Sequence, residues 1–242
     1  MAVAISGGVD SSVLLAAACE YFGAENCLAI IAVSPSLASR ELEDAKNICV
    51  ALQVELVELQ TNEIDNERYV ANSGDRCFWC KQELFTFAVP VAAQHHLPLA
   101  YGENYDDLQH DRPGRRSAES FNILAPLRDA KFTKEDVREY ARMLNLSVAE
   151  KPAAPCLASR IAVGQPVSLE SLEVVAQIED QLRIAGYQIF RVRIVGEKQL
   201  AFEFSDVELS RATAAIEVLK QLAVSNGYVS HGVSAYRSGS VA

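Results

Sequence analysis

The segment Ala2-Val3-Ala4-Ile5-Ser6-Gly7-Gly8-Val9-Asp10-Ser11-Ser12 constrains the fold more than any other stretch of the chain. It is a short apolar strand that breaks at two glycines and enters a helix, Val13-Leu14-Leu15-Ala16-Ala17-Ala18. Without Cβ atoms, Gly7 and Gly8 let backbone N–H groups crowd around an anion. Ser11 or Ser12 can cap the helix, whose orphan N–H groups and positive dipole end then face the same anion. Asp10 is placed to hold the Mg2+ that accompanies a polyphosphate. No Gly-Lys-Ser/Thr follows at the Walker spacing, so this is a different phosphate loop. A strand–glycine–helix turn with no ligand is the bland alternative, and the acid and two serines at the strand's end weigh against it.

The 242 residues fit one large domain or two small ones, and half of them are hydrophobic, ample for a packed core. The net charge of −10 and a pI near 4.9 argue against RNA or DNA as the main partner, since such proteins usually carry a basic face. No apolar run approaches the ~20 residues of a membrane span. The first apolar stretch is already the strand ahead of the glycines, so no secretory leader is expected. The expectation is a cytoplasmic protein with neither nucleic acid nor membrane as partner.

Strand-like and helix-like stretches alternate through residues 1–150. Cys27 to Val33 is a continuous apolar run typical of a strand buried on both faces. Leu37 to Leu52 places Leu42, Ala45, Ile48, Cys49 and Leu52 at a helical period. Val54 to Leu59 reads as a third strand, Phe78 to His96 as a helix interrupted near Pro90, and Leu97 to Tyr101 as a fourth strand running into Gly102-Glu103-Asn104. Repeated βα units predict an α/β fold with a doubly wound parallel sheet and a ligand at the strands' C-terminal ends. Residues 105–120 are polar and charged and read as a mobile surface loop. Thr133-x-x-Asp136 reads as a capping box with a shorter acid. Prolines without periodicity mark 151–167 as a linker carrying Cys156. Beyond it, 168–242 reads as a small α+β domain: a helix at 169–185, strands at 188–195 and 199–205, a helix at 206–225 and a last strand near 228–237.

Of the six cysteines, Cys19, Cys27 and Cys49 lie inside apolar periodic runs and read as small core hydrophobes. Cys77 and Cys80 form a CxxC at a helix start, and Cys156 sits in Pro155-Cys156-Leu157-Ala158-Ser159-Arg160. A CxxC fits zinc, redox or cluster chemistry. Structural zinc normally wants four ligands, no fourth cysteine is available, and His95, His96, His110 and His231 show no ligand spacing. Three thiolates and a vacancy suit a 4Fe–4S cluster with one open iron better. Three unconnected cysteines remain the alternative.

Ser6-Gly7-Gly8-Val9-Asp10-Ser11-Ser12 resembles the SGG-x-DS PP-loop of the ATP pyrophosphatases, whose fold is described as adenine nucleotide alpha hydrolase-like. In that superfamily the loop holds the pyrophosphate of ATP while a substrate oxygen attacks the α-phosphorus, leaving an AMP-activated substrate. Four further stretches, Arg76-Cys77-x-x-Cys80-Lys81, Gly102-x-Asn104-x-Asp106-Asp107, Asp111 to Gly114, and Pro155 to Arg160, extend the resemblance to the LarE family across residues 6–160. The C-terminal domain shares only the family's general pattern. The resemblance implies an ATP-dependent sulfur transferase that adenylates a carboxylate of pyridinium-3,5-biscarboxylate mononucleotide and converts it to a thiocarboxylate for the nickel-pincer nucleotide. Some members give up the sulfur of the cysteine at the position of Cys156; others join it with two more cysteines around a cluster that carries sulfide. Cys77 and Cys80 give this chain the cluster pattern. Family members carry a helix before the first strand, which here begins at residue 2; a misassigned start or an uncovered surface is the expectation.

The resemblance implies Ser6, Gly7, Gly8, Asp10, Ser11, Ser12, Val33 and Lys81 as nucleotide contacts, and Asp10 and Cys156 as catalytic. It implies Arg160, Arg191, Arg193 and Arg237 around the substrate, with Asp10 and Glu179 near Mg2+. The implied partners are a small-molecule nucleotide, a sulfide source and further copies of the chain in a homo-oligomer. On residue grounds alone, Arg191-x-Arg193 places two guanidinia on one strand face, fit for a phosphate or carboxylate, or simply a solvated face. Two other functions stay open: a PP-loop tRNA thiolase or amidating enzyme, and a nucleotide-binding module that leaves ATP intact.

Overall fold

The computed structural model describes residues 1–109 and 112–237. His110 and Asp111, and residues 238–242 of the expected C-terminal domain, lie outside the described residues. Strands β1 (Ala2–Ala4), β2 (Leu28–Val33), β3 (Glu55–Gln60) and β4 (Leu99–Tyr101) form one sheet; β5 (Phe190–Gly196), β6 (Gln199–Phe204) and β7 (Val229–Ala235) form another. The helices are α1 (Val9–Phe22), α2 (Ser39–Leu52), α3 (Glu67–Val70), α4 (Arg76–Gln94) and α5 (Pro113–Ser120). They continue with α6 (Pro126–Asp129), α7 (Lys134–Met143), α8 (Leu169–Ile184), α9 (Asp206–Ala214) and α10 (Ile216–Ser225). No described helix is long and apolar enough to cross a membrane. Two compact units result: Met1–Glu63 with Cys77–Ala154, and Ile64–Arg76 with the residues from Pro155 onward. Residues 64–76, within the span read as the first domain, thus belong to the second unit.

In the first unit the strand order is β3-β2-β1-β4, all parallel, with Ala2 opposite both Leu28 and Leu99. Alternate residues of a strand face opposite sides. Val3, Ala29 and Ile31 accordingly join one apolar layer with α1, α2 and α7, while Ala2, Ala4, Leu28 and Ile30 join the other with α4 and α5. Both faces are covered, which is why β1, β4 and most of β2 read as unbroken apolar runs. This is the doubly wound parallel sheet that the βα alternation predicts. Cys27 and Cys49 are buried in the first layer and Cys19 packs against it. Burial pushes the Cys49 thiol up to about 11, and burial together with Cys27 pushes Cys19 to about 12, so both stay protonated and inert.

The second unit is a small α+β body. β5 and β6 are an antiparallel hairpin, and β7 runs parallel to β6. Val192, Ile194, Phe202 and Phe204 are fully or nearly buried, as are Val175, Ile178 and Leu182 of α8. The side-chain amide of buried Asn72 donates to the carbonyls of Ala162 and Gln165, each at 2.9 Å, and holds 64–76 in this unit.

Three local readings are corrected. Residues 105–120 are not one open loop: a 3-10 turn at Tyr105–Gln109 is followed, after the undescribed pair, by α5. α5 opens on Pro113, whose missing N–H costs nothing at that position, and buries Gly114, Ser117 and Ala118, too small to register as hydrophobic periodicity. α4 passes through Pro90 without a break; the carbonyl freed four residues earlier belongs to exposed Thr86, where water can serve it. The single helix expected at 206–225 is two, divided at Ala215. The capping box at Thr133 and Asp136 is present as expected.

Gly102 directly follows β4, and a Cβ there would lie 2.6 Å from the backbone nitrogen of Ser11. Gly102→Ala should lower stability by about 1–3 kcal/mol through overpacking against the first turn of α1. Chemical denaturation measures it, and an unchanged midpoint would show that α1 can move aside.

Candidate functional site

The loop between β1 and α1 takes its shape from what glycine allows. Gly7 has φ +71°, and a Cβ there would lie 2.3 Å from the Glu41 carbonyl oxygen at the start of α2. Gly8 is the N-cap of α1, so the helix begins at Val9. The expected serine cap is therefore corrected: Ser11 and Ser12 sit inside the first turn, and both hydroxyls donate back to the Gly8 carbonyl, at 3.2 and 2.8 Å. The Ser6 backbone N–H donates to the Ser11 hydroxyl at 3.1 Å. Ser6, Gly7, Gly8, Ser11 and Ser12 are thus gathered around one helix N-terminus, the arrangement that receives an anion.

Asp10 lies in the same turn. Its carboxylate accepts from Asn104 Nδ2 at 3.0 Å and from Lys134 Nζ at 2.6 Å. The Asn104 side-chain oxygen accepts from the Asp107 N–H, and Asp107 pairs with Arg112 at 2.7 Å. The Asp106 carboxylate accepts from the Lys134 backbone N–H at 2.8 Å. The stretch from Gly102 to Asp107 is therefore the bracing for the loop's acid. Lys134 was missed from sequence: the loop itself has no lysine, and this one arrives from α7. A cation in the first turn of a helix opposes the dipole, and that anomaly was the available signal.

Beneath the same strand end, buried Glu103 accepts from Tyr101 Oη at 2.7 Å and pairs with Arg115 at 2.9 Å and Arg128 at 3.0 Å. Burial pushes its carboxyl up, but the Tyr101 and Arg115 hydrogen bonds, with the Arg115 charge and the Arg128 bond, outweigh that and hold it below its ordinary value. Lys81 lies with its ammonium 4.2 Å over the Tyr101 ring. Burial draws Lys81 below the usual lysine range against the opposing charge of Glu103.

Val33 lines a cavity of about 400 Å³ with Ser34, Pro35, Gln60, Thr61 and Asn62, at the C-terminal ends of β2 and β3. Open parallel sheets bind ligands at such strand ends. Below it, buried Glu63 accepts from the hydroxyls of Ser34 (2.7 Å), Ser36 (2.6 Å) and Thr61 (3.3 Å). The Cys80 sulfur lies 3.9 Å from the same carboxylate, and Cys77 is exposed one turn earlier on α4.

In the second unit Arg160 and Glu179 form a bidentate pair at 2.9 and 3.1 Å, both buried. Glu179 also accepts from Arg183 at 3.0 Å and from the Val192 N–H at 3.2 Å. Burial raises the Glu179 carboxyl, and the bond and charge of Arg160 more than reverse it. Arg193 pairs with Glu203 at 3.0 Å and donates to the Ser159 carbonyl at 2.9 Å. Arg191 lies 4.8 Å from the Tyr236 ring, and burial and the Arg160 charge lower its pKa. Arg191 and Arg193 are buried, which removes the solvated-face alternative. Arg160 also donates to the Cys156 carbonyl at 3.3 Å, tying that cysteine's backbone to the cationic cluster. Arg237, just beyond β7, is exposed. Among the described residues, no three or more His, Cys, Asp or Glu side chains are grouped so as to hold a metal ion.

A family model described as NAD synthase matches residues 1–76. An uncharacterized protein of Synechocystis is 40% identical over 204 residues, 82% of this chain and 74% of the relative. One of Methanocaldococcus jannaschii is 30% identical over 213 residues, 86% and 79% of the two chains. The chain belongs to the family of these two proteins, within the PP-loop ATP pyrophosphatases. This PP-loop protein is also 26% identical, over 192 residues, to the pyridinium-3,5-bisthiocarboxylic acid mononucleotide synthase of Lactiplantibacillus plantarum, covering 79% of this chain and 70% of that one. A PP-loop domain is one for ATP, and the glycine cradle at Gly7 fits a phosphate.

Glu103 yields a pH prediction. Its folded carboxyl is held below the ordinary 4.5, so the stability it lends is complete above that value and is lost as pH falls through the lower, folded one. Glu103→Gln should therefore be less stable than the parent at neutral pH, with the gap narrowing below about pH 4.5. Parallel stability curves from pH 7 downward would remove Glu103 from this role.

Proposed function

We propose that the protein is an ATP-dependent sulfur transferase that adenylates a carboxylate of a pyridinium biscarboxylate mononucleotide and converts it to a thiocarboxylate. One observation carries the reading. The buried guanidinium cluster that suits a nucleotide's phosphate is hydrogen-bonded to the backbone of Cys156, the sulfur-bearing candidate. The printed activity of the Lactiplantibacillus relative supports the substrate class. A guanidinium fork takes phosphate or carboxylate bidentately, which suits Arg160, Arg191 and Arg193 to anchoring the substrate.

At the loop, the Gly8 end of α1 receives the pyrophosphate and the Ser6 and Ser11 hydroxyls are within its reach. The substrate carboxylate attacks the α-phosphorus, pyrophosphate leaves, and the acyl adenylate then loses AMP to a sulfur nucleophile. Lys134 supplies the cation the loop lacks. We take the cavity bordered by Val33 as the nucleotide's, since open parallel sheets bind ligands at such strand ends. Mg2+ would supply charge neutralisation of the phosphates, with Asp10 as its carboxylate. Glu179, whose oxygens are filled by arginine and backbone donors, keeps the cluster in shape. Cys77, Cys80 and Cys156 are proposed as ligands of one 4Fe–4S cluster on the sequence resemblance. Among the described residues, no three His, Cys, Asp or Glu side chains are gathered for a metal.

With ATP, Mg2+, the biscarboxylate mononucleotide and sulfide under anaerobic conditions, the products should be AMP, pyrophosphate and thiocarboxylate. Asp10→Asn should slow pyrophosphate release by roughly tenfold or more, about 1.4 kcal/mol in the barrier. ADP and phosphate as products would overturn the reading.

The cysteines are tested separately by iron content and absorbance after anaerobic purification. Replacing Cys77, Cys80 or Cys156 with serine should remove iron, whereas Cys49→Ala should leave it. A parent protein that holds no iron after reconstitution, yet makes one thiocarboxylate per chain and leaves dehydroalanine at 156, would assign the sulfur to Cys156 itself.

A further inference from the structure

The diglycine loop is also gripped by a residue far away in sequence. Lys151 Nζ donates to the Gly7 carbonyl at 2.9 Å and to the carboxylates of Glu41, at 2.7 Å, and Asp44. Three acceptors use all three donors of an ammonium. The lysine side chain is only 8% exposed. Its backbone is fixed as well: Arg138 of α7 donates to the carbonyls of Ala149 at 2.6 Å and Lys151 at 3.0 Å, and Val148 and Ala149 are buried in the core. Lys151 is therefore a rigid strut. With both carboxylates against it, it has no free charge to offer an incoming phosphate.

Its importance follows from peptide geometry. The Gly7 carbonyl and the Gly8 N–H share one planar trans peptide and point in opposite directions. Drawing the carbonyl onto Lys151 turns the Gly8 N–H away from the lysine and α2. Glycine on both sides leaves little steric resistance to the inverted peptide, which would show an anion a carbonyl oxygen in place of a donor. We propose that Lys151 is a positioning residue of the phosphate loop, setting the Gly7–Gly8 peptide so that its N–H and not its C=O serves the pyrophosphate, without itself touching the nucleotide. This rests on the loop's binding ATP.

The test is calorimetric titration with inorganic pyrophosphate and Mg2+, paired with the amide resonance of Gly8 in glycine-labelled protein. The parent should bind and shift that resonance. Lys151→Met should bind about tenfold or more weakly and lose the Gly8 shift, and Lys151→Arg, which keeps a donor for the carbonyl, should recover both. Should Lys151→Met not fold, the double variant Glu41→Gln/Lys151→Met removes one orphaned carboxylate and carries the same expectation. Equal pyrophosphate binding by parent and the methionine variants, with the Gly8 shift intact, would overturn this role alone. Failure of the parent to bind pyrophosphate or ATP would instead overturn the reading of the loop.

Discussion

At Gly7 and Gly102 main chain packs on main chain with no side chain between. The first contact brings the start of α2 onto the loop, and the second brings the end of β4 onto the first turn of α1. Together they seat the N-terminus of α1 between two backbones. Everything polar around the loop then has a defined target. Asn104 and Lys134 meet Asp10 because Gly102 has brought their neighbourhood close, and the Ser11 and Ser12 hydroxyls turn inward onto the loop's own backbone. A methyl group at either glycine would displace the frame before it touched any ligand.

Both units solve the same electrostatic problem in the same way. A buried carboxylate is costly unless its charge and lone pairs are fully met. Glu103 meets two arginines and a tyrosine hydroxyl; Glu179 meets two arginines and a backbone N–H. The balance differs around them. In the second unit Arg191 and Arg193 join a Glu179 already satisfied; Arg193 has Glu203 as its own partner, and burial and the Arg160 charge lower the pKa of Arg191. The chain is acidic overall, so this cation cluster lies within a molecule of net negative charge.

The sequence showed the skeleton of the first unit because its signals are local: apolar runs of strand length, two adjacent glycines, and a capping threonine three residues before its acid. It did not show α5, whose buried face is Gly114, Ser117 and Ala118, residues that carry no hydrophobic period; Pro113 at its start was the missed clue. Nor did it show Asn72 binding the 162–165 turn, or Lys151 binding Gly7, since each joins residues about 90 to 144 apart with no motif at either end. Arg191 and Arg193 were visible as a pair on one face, but only the fold could show that this face is buried. Polar side chains that brace backbone at long range are where local reasoning ends.

The position of β1 in its sheet has a consequence for how the chain comes into being. β1 lies between β2 and β4, and it is the strand that leads into the phosphate loop. Its second neighbour begins only at Leu99, roughly 100 residues and about 5–20 s of ribosomal synthesis after it. Lys134 and Lys151 arrive later still. Until then one edge of β1 has no strand beside it, and its three-residue, alanine-rich length limits the surface left open to wrong pairing. The loop encoded early is thus finished late: its acid and its Gly7 carbonyl meet their lysines only once residues 134 and 151 have been made.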